Sequence, residues 1–385
     1  MSVYDVVVVG CGGIGSATLY WLSRLGAGQV LGLEQFRLGS ERGASSDHSR
    51  MIRKAYAQRH YTALIAAAYD AWHEVEDESG LQLITRTGAL DLAPAGTPGA
   101  ERLDGCIDAM RYARIDCTEL EAADVTARWP QFRLPQGTRG VYQADGGIVA
   151  AARANAVHVA LARARGAQVR EQVVVEHIRP LGDHVDVVTD AGTFSAGRVV
   201  LTSGAWTSDH LAGLGLSWPL SVTQEQVTYF ATPHLRQFRP EVFPAWSWFG
   251  EQILYGFPVY GEVAVKAAQD LGGARVTAAT RTFEPDRSKV AMLSAFLREH
   301  IPAALGPELY TKTCLYTLPP DRDFVVGPLA DFPQVLVAVG AGHAFKFAGL
   351  IGKILSQLAV GGRTDYDIDA FRTDRPALTD GAGEA

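Results

Sequence analysis

The start of the chain alternates between apolar runs and a helical repeat. Residues 6–9 are a β-branched run that ends at Gly10, which predicts a strand buried on both faces. Residues 14–25 carry apolar side chains at helical spacing, and Val30–Glu34 is a second apolar strand. The order strand, helix, strand predicts a βαβ unit, and such a unit implies a parallel sheet.

The pattern changes twice after this opening. Apolar residues recur at intervals of three and four over residues 61–79, which predicts a long amphipathic helix. Residues 87–136 are irregular and rich in proline and glycine, and we interpret them as part of an inserted region. Residues 217–313 differ again, with many aromatic residues and short alternating strands.

Outside these two regions the α/β pattern returns. A helix is predicted from about Ala151 to near Gly166, and another follows the turn at 340–343 and ends near Leu358. Apolar runs predict strands at 173–175, 185–188, 199–201 and Val335–Val339, with a turn between strands at 190–192. The α/β elements therefore belong to separate parts of the chain that are expected to form one domain.

Composition excludes several classes of protein. The chain has 385 residues, of which 47% are apolar and 20% charged, and this is an ordinary globular composition. A net charge of −7 without a long basic run excludes a nucleic-acid partner. The four cysteines are scattered and the ten histidines dispersed, so neither a disulfide framework nor a protein metal site is expected. The first apolar run is too short for a signal peptide or a membrane span. We therefore expect a cytoplasmic location and no membrane partner. As a separate expectation, the protein is a monomer.

A glycine-rich turn follows the first predicted strand. Gly10, Gly12 and Gly15 form the pattern GxGxxG, in which glycine permits a tight turn and the helix N-terminus supplies N–H donors to a pyrophosphate. Glu34 stands about 20 residues further on, where a carboxylate accepts hydrogen bonds from ribose hydroxyls. These residues predict a site for a dinucleotide with an unphosphorylated ribose, either FAD or NAD.

The arrangement of the elements favours FAD over NAD. An NAD-dependent dehydrogenase usually continues as an uninterrupted Rossmann domain, whereas this chain returns to its nucleotide domain near the C-terminus. Two alternatives remain at this point: an NAD-dependent amino-acid dehydrogenase, and a catalytically idle dinucleotide-binding module that acts through partner contacts.

Four sequence blocks carry a resemblance to a known family. They are SRMIRKAY at 49–56, LYGFP at 254–258, KTCLYT at 312–317 and GHAFKF at 342–347. In this order and spacing, the chain resembles the monomeric sarcosine oxidase and N-methyltryptophan oxidase family of flavin amine oxidases over nearly its whole length. The resemblance implies an FAD-dependent oxidase of secondary amino acids, such as sarcosine or another N-methyl amino acid, with O₂ reduced to H₂O₂. The alternative substrate is a cyclic imino acid such as pipecolate or proline.

The resemblance also implies a division of the chain. The fold class is α/β (α+β overall), with a Rossmann-like FAD-binding domain and a discontinuous, β-rich substrate domain inserted into it. The FAD-binding domain comprises residues 1–86, 140–216 and 314–385. The substrate domain comprises residues 87–139 and 217–313.

Site residues are carried over from the family pattern. Cys314 is expected to attach the flavin covalently, Arg53 and Lys346 to hold the substrate carboxylate, and Lys266 to act on oxygen beside the flavin. Arg50 and His343 are expected near the cofactor, and Tyr255 and Tyr316 are expected to line the substrate pocket; these four and Lys266 are the catalytic candidates. Trp246 and Trp248, which the family pattern does not supply, are expected to bind the substrate as part of an aromatic pocket wall at 243–249. Further cofactor contacts are expected from Ser49, Val174, Gly204, Gly342 and Lys346.

Each assignment has a plainer interpretation. Without the family, Arg50 and Arg53 would be a solvated helix face, Cys314 a small buried apolar side chain, and Lys266 a solubilising lysine on a strand edge. Trp246 and Trp248 would be ordinary core residues.

The chain also departs from the family pattern. Ser45 and Ser46 stand where related oxidases carry histidines, and Asp270 stands where they carry another. Together with the two tryptophans, the serines suggest a substrate bulkier or flatter than sarcosine. We further expect Asp270 or a water to offset the charge of Lys266, and Lys312 to help to lower the pKa of the Cys314 thiol.

Overall fold

The computed structural model describes residues 2–379. Its strands, in chain order, are β1 (Ser2–Val9), β2 (Val30–Glu34), β3 (Arg50–Ile52), β4 (Ile84–Arg86), β5 (Ala89–Ala93), β6 (Thr118–Glu121), β7 (Arg139–Gln143), β8 (Gly147–Val149), β9 (Gln168–Glu171), β10 (Val175–Leu181), β11 (His184–Thr189), β12 (Gly192–Leu201), β13 (Ser221–Phe230), β14 (Ala245–Phe249), β15 (Ile253–Phe257), β16 (Val265–Asp270), β17 (Ala274–Val276), β18 (Glu308–Leu318), β19 (Val325–Pro328) and β20 (Val335–Val339). Its α-helices are α1 (Gly13–Arg24), α2 (Arg59–Ser79), α3 (Pro98–Tyr112), α4 (Ala122–Arg128), α5 (Ala151–Ala164), α6 (Thr207–Ala212), α7 (Arg287–His300), α8 (Ala348–Gly361) and α9 (Pro376–Thr379).

The first sheet has a parallel centre in which β20, β12, β1, β2 and β9 are neighbours. The valines at 6–9 on β1 are buried, as a strand between two covered faces requires. Helix α1 packs against α5 and α8. The antiparallel strands β10 and β11 extend the sheet beyond β12, and β19 pairs with β20 at another edge.

The second sheet is mainly antiparallel and has the order β17-β13-β16-β15-β14-β5-β7-β6, with β18 also paired to β13. Its strands come from two separate parts of the chain, 89–143 and 221–318. A smaller sheet joins β3, β8 and β4. The long strand β18 pairs along β13 near one end of this sheet, and it carries Cys314 and Tyr316.

The periodicity predicted the opening βαβ unit, α2 and β20 well, and the two inserted regions less well. Helix α3 was not predicted because Pro98 was interpreted as a break, yet it lies in the first turn of the helix, where its missing N–H is not needed. Helix α7 was also hidden within the region interpreted as short strands. Only Val175 of the strand predicted at 173–175 belongs to β10. The five-part domain division stays a prediction, and its boundaries at 139/140 and 313/314 fall inside β7 and β18.

The segment Ala344–Gly361 is long and apolar enough to cross a membrane by length and composition, and 67% of it is buried inside the protein. Its helix, α8, packs against α1 and α2. The apolar composition of this segment is thus explained by burial in the hydrophobic core that α8 shares with α1 and α2. The turn that precedes α8 carries His343 and Lys346 into the space between the two large sheets.

Candidate active site

A cavity of about 840 Å³ extends from the glycine-rich turn after β1 to the inner face of the second sheet. Its first end is formed where parallel strands finish, which is the usual ligand position in open α/β sheets. Its other end is lined by residues that include Ser247, Tyr255, Lys266, Cys314 and Tyr316. The cavity therefore collects sequence-predicted residues from all four blocks.

The glycine-rich end fits a dinucleotide. Gly10 has φ of +87°, and a Cβ there would lie 2.8 Å from the Thr202 carbonyl oxygen. A Cβ at Gly15 would overlap the Gly10 carbonyl, so the tight turn requires glycine at both positions. Glu34 accepts hydrogen bonds from the N–H groups of Cys11 at 2.9 Å and Phe36 at 3.0 Å. Its carboxylate, whose pKa is raised by burial, has further lone pairs for ribose hydroxyls.

Other predicted cofactor residues also line this cavity. They include Gly12, Ser49, Gly204 and Gly342. Val174 lies at the cavity as well, but its main-chain N–H donates to Asp190 and its carbonyl accepts from Asp190. Its side chain is thus the part of Val174 that is available to a cofactor. The region as a whole has the size and the backbone room that FAD requires.

Lys266 is a buried residue of the sheet interior. It lies on β16 between β13 and β15, and its ammonium donates to the Ser49 carbonyl at 2.8 Å. The interpretation as an exposed strand-edge lysine is therefore wrong. The expectation that Asp270 offsets the lysine charge is also wrong, because the Lys266 ammonium pairs with Asp47 at 3.0 Å. Burial lowers the pKa of Lys266 to about 8, while Asp47 acts in the opposite direction.

Cys314 is a free cysteine on β18 and lines the same cavity. Burial raises the pKa of its thiol, and the Arg50 guanidinium opposes this effect. The expected help from Lys312 is not found, and the Lys312 ammonium pairs with Glu41 at 2.6 Å instead. Arg50 and, more weakly, Lys266 are thus the cations that the fold provides for this thiol. The helix-face interpretation of Arg50 is wrong, since Arg50 begins strand β3.

Arg53 and Lys346 form a second buried cationic group. The Arg53 guanidinium pairs with Asp91, and the Lys346 ammonium donates to the Tyr56 hydroxyl at 2.9 Å and to the His343 carbonyl at 3.1 Å. Burial and, to a smaller extent, the nearby Arg53 lower the pKa of Lys346 to about 7. Two cations that disfavour each other in a cavity are suited to an anionic ligand, because its charge stabilises both.

Asp91 and Tyr56 were not predicted as site residues. Asp91 is a buried carboxylate in the otherwise apolar strand ALDLA, and that interruption was a usable signal. Tyr56 belongs to the first family block but had no assigned role. Its hydroxyl lies between the Lys346 ammonium and the His343 ring, 3.4 Å from His343 Nδ1.

Three further residues that line the cavity, one histidine and two tyrosines, are held in their neutral forms. Burial lowers the pKa of His343 to about 3, and its Nε2 lies 3.1 Å from the Arg322 carbonyl oxygen. Burial likewise raises the pKa of Tyr255 and Tyr316. Asp270 lines the cavity at the end of β16, with the Arg322 guanidinium 4.0 Å away.

The prediction that Trp246 and Trp248 line the substrate pocket is wrong. Side chains alternate across a strand, and on β14 it is Ser247 and Phe249 that face the cavity. The two indoles lie on the opposite face and pack against Phe296 in the hydrophobic core. They are therefore the ordinary core residues of the plainer interpretation.

Ser45 and Ser46, which stand where related oxidases carry histidines, were expected to make room for a bulkier substrate, and the structure gives them a different role. The Ser45 hydroxyl accepts a hydrogen bond of 2.8 Å from the Gly13 N–H at the start of α1. The Ser46 carbonyl accepts from Arg50 at 2.6 Å. Ser45 thus lies at the phosphate-binding end of the cavity, so neither the serines nor the tryptophans support a bulkier substrate.

Comparison with known proteins identifies the family of the chain. The sequence profile of the FAD dependent oxidoreductase family, DAO, matches residues 5–358. The monomeric sarcosine oxidase of Arthrobacter sp. (strain TE1826) is 31% identical over 380 residues, which cover 97% of each chain. The N-methyl-L-tryptophan oxidase of Salmonella heidelberg (strain SL476) is 27% identical, over 97% of this chain and 99% of that protein.

Among solved structures, NikD, an unusual amino acid oxidase essential for nikkomycin biosynthesis, superposes with a TM-score of 0.85. It is 32% identical, over 97% of this chain and 98% of that one. The predicted family, the fold class and the cofactor FAD are thereby confirmed. The chain belongs to the DAO family of FAD-dependent oxidoreductases.

Proposed function

We propose that this protein is an oxidase of secondary amino acids, with sarcosine or another N-methyl amino acid as the substrate. The observation that carries the proposal is the buried pair of Arg53 and Lys346, which lies in the same cavity as Lys266 and Cys314. FAD, when bound, accepts two electrons from the substrate and passes them to O₂. The overall step converts the C–H and N–H of the amine and O₂ into an imine and H₂O₂, and water then hydrolyses the imine.

The end of the cavity beside Arg53 and Lys346 has groups of both charge signs. Arg53 and Lys346 would bind the carboxylate of an amino acid, and Asp270 is the carboxylate available to the amine end. His343 is neutral and therefore adds no third cation beside Lys346. This distribution complements an amino acid better than an uncharged amine. It also argues against an idle binding module, which has no need of opposed buried charges.

Oxygen reduction creates negative charge inside a site of low polarity. A fixed cation aimed at that charge lowers the barrier without reorganisation of the surroundings. Lys266 is a compact cation with a side chain that is only 2% exposed, and it lines the cavity together with Arg50 and Cys314. We assign it the role of promoting the reaction with O₂.

We further propose that Cys314 attaches the flavin covalently. The thiol faces the cavity, and Arg50 is the nearby cation that stabilises its thiolate form. Protein precipitated with acid should remain yellow, and its band on a denaturing gel should fluoresce. Cys314→Ser should release its FAD under the same treatment. Complete release of FAD from the unaltered protein would contradict the covalent link.

An H₂O₂ assay across amino acids tests the proposed function. We expect turnover of N-methyl amino acids and none of N-methylamines without a carboxylate, because the two cations would then lack their anion. Pipecolate and proline serve as the cyclic alternatives, and a preference for them would replace the N-methyl assignment. Reduction of NAD in place of H₂O₂ formation would overturn the oxidase assignment. The monomeric state and the cytoplasmic location stay predictions, and size-exclusion chromatography with light scattering tests the first of them.

A further inference from the structure

Asp47 is the carboxylate that accompanies Lys266, and donors surround it. Its Oδ2 lies 3.0 Å from the Lys266 ammonium and 3.5 Å from Arg50 Nη1. Its Oδ1 accepts a hydrogen bond of 2.6 Å from the Tyr229 hydroxyl. The side chains of Lys266 and Asp47 are 2% and 5% exposed, so this ion pair is shielded from solvent. Asp47 therefore connects three separate elements around one buried ammonium.

The backbone of Asp47 is itself unusual. Its φ is +95°, whereas the other non-glycine residues with positive φ in the described part of the chain lie between +48° and +63°. Those values fall in the left-handed region that ordinary residues occasionally occupy, and +95° lies outside it. A glycine would adopt this conformation without strain. The aspartate side chain is therefore retained at a position where the backbone disfavours it.

We propose that Asp47 is a positioning residue that holds Lys266 protonated and directs its ammonium into the cavity for the reaction with O₂. The proposal rests on the oxygen-activating role proposed above for Lys266. Asp47 acts through the lysine and has no proposed contact with the amino-acid substrate. Its contacts with Tyr229 and Arg50 fix the carboxylate, so the ammonium is held from a defined side.

The charges around Lys266 support this assignment. Burial and Arg50 both favour the neutral amine, and Asp47 is the strongest group that favours the ammonium. The Tyr229 hydroxyl and the Phe257 ring complete the surroundings. Arg50 and Lys266 in turn hold the pKa of Asp47 well below its usual range, so this carboxylate is ionised at neutral pH. Without Asp47, the pKa of Lys266 falls from about 8.

The pH dependence of the oxygen step follows from these directions. The lysine charge is present below its pKa and is lost as the pH rises through it. In the unaltered protein, the rate of flavin reoxidation should therefore decrease as the pH rises past about 8. In Asp47→Asn the same decrease should occur at lower pH, with a loss at high pH of about tenfold for each unit by which the pKa falls. Tyr229→Phe removes one contact of Asp47 and should produce a smaller shift in the same direction.

The kinetic experiment separates the two half-reactions. The holoenzyme is reduced anaerobically with substrate and then mixed with O₂ in a stopped-flow instrument at several pH values. Asp47→Asn should change the oxygen step and its pH profile, and change the anaerobic reduction far less. Asp186→Asn is a matched control, since Asp186 is a buried carboxylate on β11, bonded to Ser195 and outside the cavity. It should leave the pH profile of reoxidation unchanged.

A second readout is independent of turnover. Asp47→Asn, Lys266→Met and the double variant form a cycle measured by denaturant unfolding of the FAD-loaded proteins. Asp47→Asn leaves the buried Lys266 ammonium without its carboxylate, and Lys266→Met leaves Asp47 with the more distant Arg50 as its cation. The double variant removes both members of the pair, so neither is left without the other. The double variant should therefore lose less stability than the sum of the two single variants. Additive losses would show that the two residues are not coupled and would overturn the proposal.

The outcomes distinguish this inference from the function on which it rests. If Lys266→Met reoxidises like the unaltered protein, the oxygen role of Lys266 fails and the inference fails with it. If Lys266→Met is slow but Asp47→Asn keeps the original rate and pH profile, the role of Asp47 alone is refuted. If Asp47→Asn does not fold, Tyr229→Phe carries the test, and an unchanged pH profile in that variant refutes the inference.

Discussion

Replacing Lys266 by methionine is expected to slow the reoxidation of the reduced protein by O₂ by orders of magnitude. Methionine has a similar length and is apolar, so it can fill the same buried space on β16 without the charge. The developing negative charge on oxygen then lacks the cation that stabilises it. Stopped-flow mixing of anaerobically reduced protein with O₂ measures this step directly.

The reduction of the protein by its amino-acid substrate is the control for this variant. The hydrogen-bond partners of Lys266 are Asp47 and Ser49, and they do not include Arg53 or Lys346. Anaerobic reduction by the substrate should therefore change far less than reoxidation. Equal slowing of both half-reactions would assign Lys266 to structure or substrate binding. An unchanged oxygen step would remove Lys266 from the mechanism.

Replacing Lys346 by methionine is expected to lower kcat/KM for amino acids. The expected loss of transition-state binding is about 2–5 kcal/mol, which is the usual effect of removing one partner of a buried charge pair. Arg53→Met should have an effect of similar size, but it also leaves Asp91 without its partner. Lys346→Met is the cleaner test, because within residues 2–379 the Lys346 ammonium donates hydrogen bonds to a hydroxyl and a carbonyl and to no carboxylate. Steady-state kinetics with each N-methyl amino acid measure the loss.

The pH dependence of the same binding step provides a check. The pKa of Lys346 is lowered to about 7, so its positive charge is present below that pH and is lost above it. KM for amino acids should therefore increase as the pH rises past about 7, and this increase should disappear in Lys346→Met. If kcat/KM for amino acids is the same in Lys346→Met and in the unaltered protein, the carboxylate assignment is wrong.

The candidate site could be predicted in part from short sequence blocks, because each block keeps its residues close together along the chain. Gly10, Gly12 and Glu34 from the glycine-rich pattern, and Arg53 and Lys346 from two of the blocks, all line the cavity as predicted. The partners of these residues come from distant segments. Lys266 and Asp47 are separated by 219 positions, and Arg53 and Asp91 by 38. No local periodicity contains these pairings, so the expected Lys266–Asp270 contact was wrong.

The sequence by itself determined the elements whose signals are local: the βαβ opening, the glycine turn that only glycine can form, helix α2 and the buried strand β20. It also determined the family, because four blocks in a fixed order identify it. The tertiary structure decided which face of each strand meets the cavity. A strand has two faces, and its register with neighbouring strands decides which of them is buried against which layer. For this reason Ser247 lies in the cavity while Trp246 and Trp248 fill the core, and Asp47, not Asp270, meets Lys266.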